Sequence, residues 1–195
     1  MAQETPPHPD PKAALRKAAF AARKAAFAAA AANVPLATAH LLAQIGPAAG
    51  RVISGYMPIR TEIDPRPAMG ALHAAGARVA VPVIAGAGLP LEFREWTPGA
   101  RLVEGPFKAL IPEDGAWLVP ETLIVPLVGF DAGLNRLGYG GGVYDRTLAR
   151  LRATGPIRAI GFAFAAQELP AIPADATDQP LDMLVSELGV RRPAS

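Results

Sequence analysis

The chain has 195 residues, 51% of them hydrophobic, and a formal net charge of +2. That length suffices for one domain with a sizeable core, and the charge is too small for a dedicated nucleic-acid binder. Cysteine is absent, which excludes disulfides, thiolate metal sites and cysteine nucleophiles.

Residues 1–9 read as a disordered polar tail, and residues 10–192 as one domain. The first ten residues carry Glu4 and Asp10 among several prolines and lack an apolar stretch. That argues against a secretory signal. No apolar run reaches the roughly 18 residues needed to span a bilayer, so cytoplasm is the expected location, with no membrane partner. His8, His40 and His73 are not spaced as a metal pair. Most of the 19 basic residues are arginine, which favours two-pronged contacts to carboxylate or phosphate.

Asp10-Pro11 has the form of a helix start, aspartate at the cap and proline at the first helical position. The alanine-rich stretch 12–32 predicts a helix. At 100° per residue Lys12, Arg16 and Arg23 fall within about 40° of one another. They form one basic stripe, read from the pattern alone as a solvated face. A mitochondrial transit peptide is a weaker reading, since the segment lacks serine and follows acidic residues. A second helix is expected over 36–49, a strand over 51–56, and a helix from Asp64-Pro65 to near Gly76. Strands are expected over 78–84 and 91–96, joined by a Gly/Pro turn. Residues 97–120 read as loop. Strands over 122–128, 157–162 and 183–185 follow, with a helix from about residue 144 to 151 and a Pro-rich loop over 170–180. Strands alternating with helices predict a three-layer α/β/α fold with a largely parallel central sheet.

One segment stands apart, Arg136-Leu-Gly-Tyr-Gly-Gly-Gly-Val-Tyr-Asp-Arg146, with the apolar run Leu123-Ile-Val-Pro-Leu-Val-Gly-Phe130 upstream. A glycine-rich turn between a strand and a helix presents backbone N–H groups and a helix N-terminus, which suits phosphate. Asp145 adds a carboxylate suited to Mg²⁺. Read structurally, the same glycines only allow a tight connection. The dinucleotide fingerprint fails because Val143 stands where its third glycine belongs. The P-loop fails because no Gly-Lys-Ser/Thr follows.

Taken together, the motifs resemble the 5-formyltetrahydrofolate cyclo-ligase (methenyltetrahydrofolate synthetase) family over about residues 11–190. The matching pieces are Lys12-Ala-Ala-Leu-Arg16, Tyr56-Met-Pro-Ile-Arg-Thr-Glu-Ile63, Val125-Pro-Leu-Val-Gly-Phe-Asp131, the glycine segment through Asp145, and Asp178-Gln-Pro-Leu-Asp182. The resemblance implies a fold of the sugar-isomerase and CoA-transferase type. It implies Mg²⁺- and ATP-dependent conversion of 5-formyltetrahydrofolate to 5,10-methenyltetrahydrofolate by a monomer or weak homodimer. It also implies roles. Lys12, Arg16, Arg136, Gly138, Tyr139, Gly140, Gly141, Gly142 and Tyr144 would bind ATP. Met57, Glu62, Tyr139, Gly140, Gly141, Gly142 and Val143 would bind the folate. Asp145 and Asp178 would hold Mg²⁺, and Lys12, Arg136 and Asp145 would serve catalysis. Glu62 suits the pterin, whose amidine-like edge donates two hydrogen bonds that a carboxylate accepts.

Without the family, Glu62 reads equally as an N-cap or surface acid, Asp178 and Asp182 as loop acids, and Trp96 as core or as a stacking platform. The chain departs from the family at Val143, where an aromatic is usual, at Thr177 for histidine, at Ser186 for threonine, and at Lys108-Ala-Leu-Ile-Pro for Gly-Ile-x-x-Pro. Two rival functions remain at this stage: a non-catalytic folate or nucleotide binder, and a sugar-phosphate binder that consumes no ATP.

Overall fold

The computed structural model describes residues 12–106 and 109–193; the tail, the Asp10-Pro11 helix start and Lys108 lie outside them. In chain order the elements are α1 (Ala13–Ala28), α2 (Ala30–Ile45), β1 (Val52–Ser54), α3 (Arg66–Ala74), β2 (Arg78–Ile84), β3 (Leu91–Trp96), β4 (Leu102–Glu104), β5 (Leu110–Pro112), β6 (Thr122–Val125), β7 (Gly129–Phe130), β8 (Arg136–Leu137), α4 (Val143–Arg152), β9 (Arg158–Phe162), β10 (Met183–Ser186) and β11 (Gly189–Arg191). A seven-stranded sheet runs β11-β10-β9-β6-β1-β2-β3. Its five inner strands pair in parallel, while β3 and β11 add antiparallel edges. The inner strands β6 and β10 are buried at every residue, the pattern of a sheet covered on both faces.

The two faces have separate cores. Ala37, Leu41 and Ile45 of α2 and Met69 and Leu72 of α3 pack on Ile53, Val79, Ile124, Ile160 and Val185. On the opposite face Leu148 and Leu151 of α4 meet Leu123, Val125, Ala159 and Leu184. Trp96 sits in the first of these cores, so it is core and not a stacking platform.

Several boundaries differ from the sequence expectation. The first helix stops at Ala28, not near residue 32, and α2 begins at Ala30, not 36. The chain bends by 104° between them. Pro35 lies inside α2, where it removes one hydrogen bond to the carbonyl of residue 31. That loss falls near the helix start, and the turn is made one step earlier, at Ala29. Residues 97–120 contain the hairpin β4–β5, and β7, β8 and β11 were not expected either. All are two or three residues long, too short for a period-2 pattern to register. Among the described residues no single helix is long and apolar enough to cross a membrane.

The bend at Ala29 lays α1 across one end of the sheet. Ala19 packs there with Val128, Leu137, Leu169 and Ile172. This small satellite core fixes the face of α1 that carries Lys12, Arg16 and Arg23.

Candidate active site

In open parallel sheets ligands bind beyond the C-terminal strand ends where strand order reverses. Here the chain passes from β1 outward to β2, then returns to the other side of β1 with β6. A cavity of about 1020 Å³ opens at that point, lined by Tyr56 and Met57 after β1 and Pro126 after β6. The remaining walls are Lys12 and Arg16 of α1, the glycine loop 138–142, the start of α4, and residues 175–179 of the Pro-rich loop. Every site residue expected from the sequence lines this one cavity.

The basic stripe is not a solvated face. Lys12 is 16% exposed in its side chain and donates to Asp178 Oδ2 at 2.8 Å. Arg16 Nε donates to the Gly138 carbonyl at 2.9 Å, pinning the glycine loop to α1. The loop is delivered by the hairpin β7–β8, in which Phe130 pairs with Arg136. Asp131 holds that hairpin's turn: its Oδ1 accepts from the backbone N–H of Gly133 and Asn135, and its Oδ2 from that of Ile172. Gly140 has φ +103° and Gly142 φ +59°, conformations that disfavour a side chain. Gly142 is the N-cap of α4, so the helix starts with its N–H groups at the cavity wall.

Arg136 is 4% exposed. Its Nη2 donates to Asp145 Oδ1 at 2.7 Å, its guanidinium lies 5.7 Å from the Tyr144 ring centre, and its Nη1 has no hydrogen-bond partner among the described residues. A buried cationic donor without an acceptor is costly in a finished structural ion pair. At the wall of a cavity it is a ready contact for an anion. Asp145 is not an N-cap, because Gly142 is. Its Oδ1 also accepts the Gln179 N–H at 3.0 Å, which draws the Pro-rich loop, and with it Asp178, towards the start of α4.

The two carboxylates bear on Mg²⁺. Among the described residues no group of three or more metal-ligating side chains is assembled. Mg²⁺ does not require one, since it commonly takes one or two carboxylates and completes its shell with water and substrate phosphate. Asp145 and Asp178 are hard oxygen donors on neighbouring cavity walls, so the donor set fits the ion.

The same cavity is lined by Glu62, 4% exposed, which is neither an N-cap nor a surface acid. Its Oε2 accepts from the Ile59 N–H at 2.9 Å and its Oε1 from the Tyr139 hydroxyl at 2.9 Å. Burial raises its pKa above the ordinary carboxylate value, and the Ile59 and Tyr139 hydrogen bonds and the Arg23 charge oppose that rise. Tyr139 is pushed up to about 12 by burial and by the Glu62 charge. One cavity thus brings together Lys12, Arg16 and Arg136, the N–H-rich glycine loop, and the acidic, aromatic pair of Glu62 and Tyr139.

A sequence profile of the 5-formyltetrahydrofolate cyclo-ligase family matches residues 9–187. The chain belongs to the 5-formyltetrahydrofolate cyclo-ligase family. The Escherichia coli 5-formyltetrahydrofolate cyclo-ligase is 34% identical over 143 residues, 69% of this chain and 76% of that protein. The Mycolicibacterium smegmatis protein of the same name is 35% identical over 122 residues, covering 57% of this chain and 62% of that relative. The solved Aquifex aeolicus 5,10-methenyltetrahydrofolate synthetase superposes with a TM-score of 0.72 at 27% identity, covering 94% of this chain and 93% of that one.

Within this cyclo-ligase cavity the sequence reading passed over some residues. Tyr56 is buried, its hydroxyl donating to the Ile63 carbonyl at 2.8 Å, and its ring lines the wall beside Met57. Arg146 Nη2 donates to the Gly141 carbonyl at 2.7 Å, a second clasp on the glycine loop. Arg23 lies behind the wall, 1% exposed, in contact with Tyr139 and Glu62. Its position in the basic stripe was the available signal. Val143 lines the cavity, and neither Trp96 nor Phe130 reaches it to replace a missing aromatic, since both are buried in the core.

Proposed function

We propose that this protein is an ATP- and Mg²⁺-dependent 5-formyltetrahydrofolate cyclo-ligase that forms 5,10-methenyltetrahydrofolate, ADP and phosphate. The observation that carries it is Arg136, buried at the cavity wall with one guanidinium nitrogen lacking a hydrogen-bond partner among the described residues, in the cavity that the glycine loop and Glu62 also line. Phosphate suits the cations and the loop N–H groups, and a pterin suits Glu62.

The chemistry accounts for the residue types. A formyl oxygen on N5 is a poor leaving group as it stands. It attacks the γ-phosphorus of ATP, the bond to ADP breaks, and the formyl carbon becomes an iminium phosphate. N10 then attacks that carbon and loses its proton. The C–O bond breaks, inorganic phosphate leaves, and the five-membered ring is closed. No covalent bond to the protein is needed, so the protein's work is placement and charge stabilisation.

Lys12, Arg16 and Arg136 would meet the phosphates with the N–H groups of 138–142, donors already oriented where negative charge spreads in the transition state. Met57, Val143 and the Tyr139 ring would bound the folate, with Glu62 accepting from the pterin edge. Asp145 and Asp178 would hold Mg²⁺, which supplies charge neutralisation to the phosphate oxygens. The reading includes a cytoplasmic location and a monomer or weak homodimer, since the cavity-lining residues named above come from one copy of the chain.

The test is to mix the protein, Mg-ATP and 5-formyltetrahydrofolate and to follow the near-UV absorbance of the methenyl product while ADP is counted. One ADP per methenyl product is expected. Product formation with EDTA present and no nucleotide would overturn the reading.

A further inference from the structure

Arg23 is the largest fully buried side chain that no step above uses. It comes from α1, three turns beyond the end that faces the phosphates. Its Nε donates to Thr61 Oγ1 at 3.1 Å and its Nη2 to the Tyr139 hydroxyl at 3.0 Å. Its Nη1 lies 3.8 Å from Glu62 Oε1 and has no hydrogen-bond partner among the described residues. The guanidinium packs on two rings, 5.1 Å from the Phe20 centre and 5.6 Å from that of Tyr139. Because the Tyr139 hydroxyl accepts from Arg23, its one proton is directed at Glu62 Oε1. The chain of donors therefore runs in one direction, from guanidinium to phenol to carboxylate, and each bond polarises the next.

A buried ion pair is a weak device for stability, since apolar residues of the same volume commonly serve as well. Arg23 itself is not part of the cavity wall, whereas both groups it touches, Glu62 and Tyr139, are. We propose that Arg23 is a positioning residue for folate recognition: from behind the wall it holds Glu62 and Tyr139 in one hydrogen-bonded chain, so that Glu62 meets the pterin as an oriented, charged acceptor. This rests on the reading of Glu62 as the pterin's acceptor.

Electrostatics agree with the geometry. Burial raises the Glu62 pKa, and Arg23 is the cation that counters it. The other titratable groups that bear on Glu62 are Tyr56 after β1, Tyr139 on the glycine loop and Tyr144 on α4, and the Glu62 charge raises the pKa of all three. They offer Glu62 no positive charge. Without Arg23 the carboxyl would take up a proton at a higher pH, and a protonated acid cannot accept both hydrogen bonds of a pterin edge.

The experiment measures 5-formyltetrahydrofolate binding by calorimetry from about pH 6 to about pH 9, for the native protein and for Glu62→Gln, Arg23→Met, Arg23→Lys and the Arg23→Met/Glu62→Gln double variant. Circular dichroism checks each fold, and the KM for ATP is measured alongside. Arg23→Met is expected to weaken folate binding roughly 10- to 100-fold near neutral pH, with partial recovery as pH rises. Arg23→Lys, which keeps the cation, should restore much of the affinity and flatten the pH profile. The double variant should bind no worse than Glu62→Gln alone, because Arg23 acts through Glu62. The KM for ATP should stay nearly constant throughout. If Arg23→Met does not fold, Arg23→Lys decides: binding as weak as in Glu62→Gln at every pH overturns the proposal. Additive losses in the double variant, or a pH-independent loss in Arg23→Met, also overturn it. Unchanged folate binding in Glu62→Gln instead rejects the reading of Glu62 itself.

Discussion

Arg136 Nη2 donates to Asp145 Oδ1 at 2.7 Å, so the two charged ends of the glycine loop are tied directly to each other. The loop between them is clasped twice more, by Arg16 on the Gly138 carbonyl and by Arg146 on the Gly141 carbonyl. These contacts hold the N–H groups of the loop in place before any ligand arrives, and that preorganisation is what an electrostatic catalyst requires.

The cations should therefore matter far more than surface charge. Lys12→Ala, Arg16→Ala and Arg136→Ala are each expected to lower kcat/KM by about 10²–10³-fold. Arg101→Ala is the control, since Arg101 is 79% exposed in its side chain and its ion pair is with Glu113, away from the cavity lining. Arg152, at the end of α4, is unsuitable as a control: it reaches Gln179 and the Pro180 carbonyl on the loop that also carries Asp178. Steady-state kinetics on the four variants checks this, and equal small effects throughout would mean that the stripe does not meet the phosphates.

Asp145→Asn keeps the shape of the side chain, and its amide oxygen can still accept from Arg136 and Gln179. What it loses is charge. The Mg²⁺ concentration for half-maximal activity should rise by about tenfold or more, with the circular dichroism spectrum unchanged because Gly142 caps α4. An unaltered Mg²⁺ titration would leave Asp145 only its ion pair with Arg136.

The glycines of the loop should separate by backbone conformation. Gly140 has φ +103°, and a Cβ there would lie 3.4 Å from the Arg16 guanidinium. Gly141 lacks a positive φ and has nothing within 4 Å of such a Cβ. Gly140→Ala should thus raise the KM for ATP and lower stability by about 1 kcal/mol or more. Gly141→Ala should leave the melting temperature unchanged, and any activity it loses reports a ligand passing close to the backbone. Thermal unfolding and kinetics on the pair distinguish the two.

Val143, a small side chain, lines the cavity. Val143→Tyr should lower the KM for the folate several-fold, since a ring contact contributes about 0.5–1.5 kcal/mol beyond its area. The KM for ATP should barely move. A raised folate KM would show that the wall has no room for the ring.

Gly129 joins the hairpin to α1. A Cβ there would fall 2.8 Å from Leu169 Cδ1, 3.2 Å from Ala19 Cβ and 3.3 Å from the Gln167 carbonyl oxygen. Ala19 and the carbonyl cannot swing aside, so Gly129→Ala should push α1 outward. The expected cost is about 1–3 kcal/mol. Activity should fall in parallel, because the same helix carries Lys12 and Arg16. A variant with normal kinetics and a lowered melting temperature would show that α1 reseats itself.

The sequence by itself determined the layered α/β fold, the longer strands and the glycine loop. Each is encoded by local chemistry: runs of β-branched residues and glycines at fixed spacing. Its motifs, through the family resemblance, also selected many of the residues that line the cavity, though not Tyr56 or Arg146. The alanine-rich start was read less well. Alanine is compatible with helix everywhere, so composition could not locate the bend at Ala29, and periodicity could show that Lys12, Arg16 and Arg23 share a face but not what that face meets. Only the tertiary structure decided that. The bend lays α1 over the small core of Ala19, Val128 and Leu137, which turns the stripe inward. Lys12 and Arg16 then line the cavity with the glycine loop, while Arg23 lies 1% exposed beside Glu62, a residue 39 positions away in sequence and on a different element. A pairing of that kind depends on how two elements pack, and no local pattern in the chain records it.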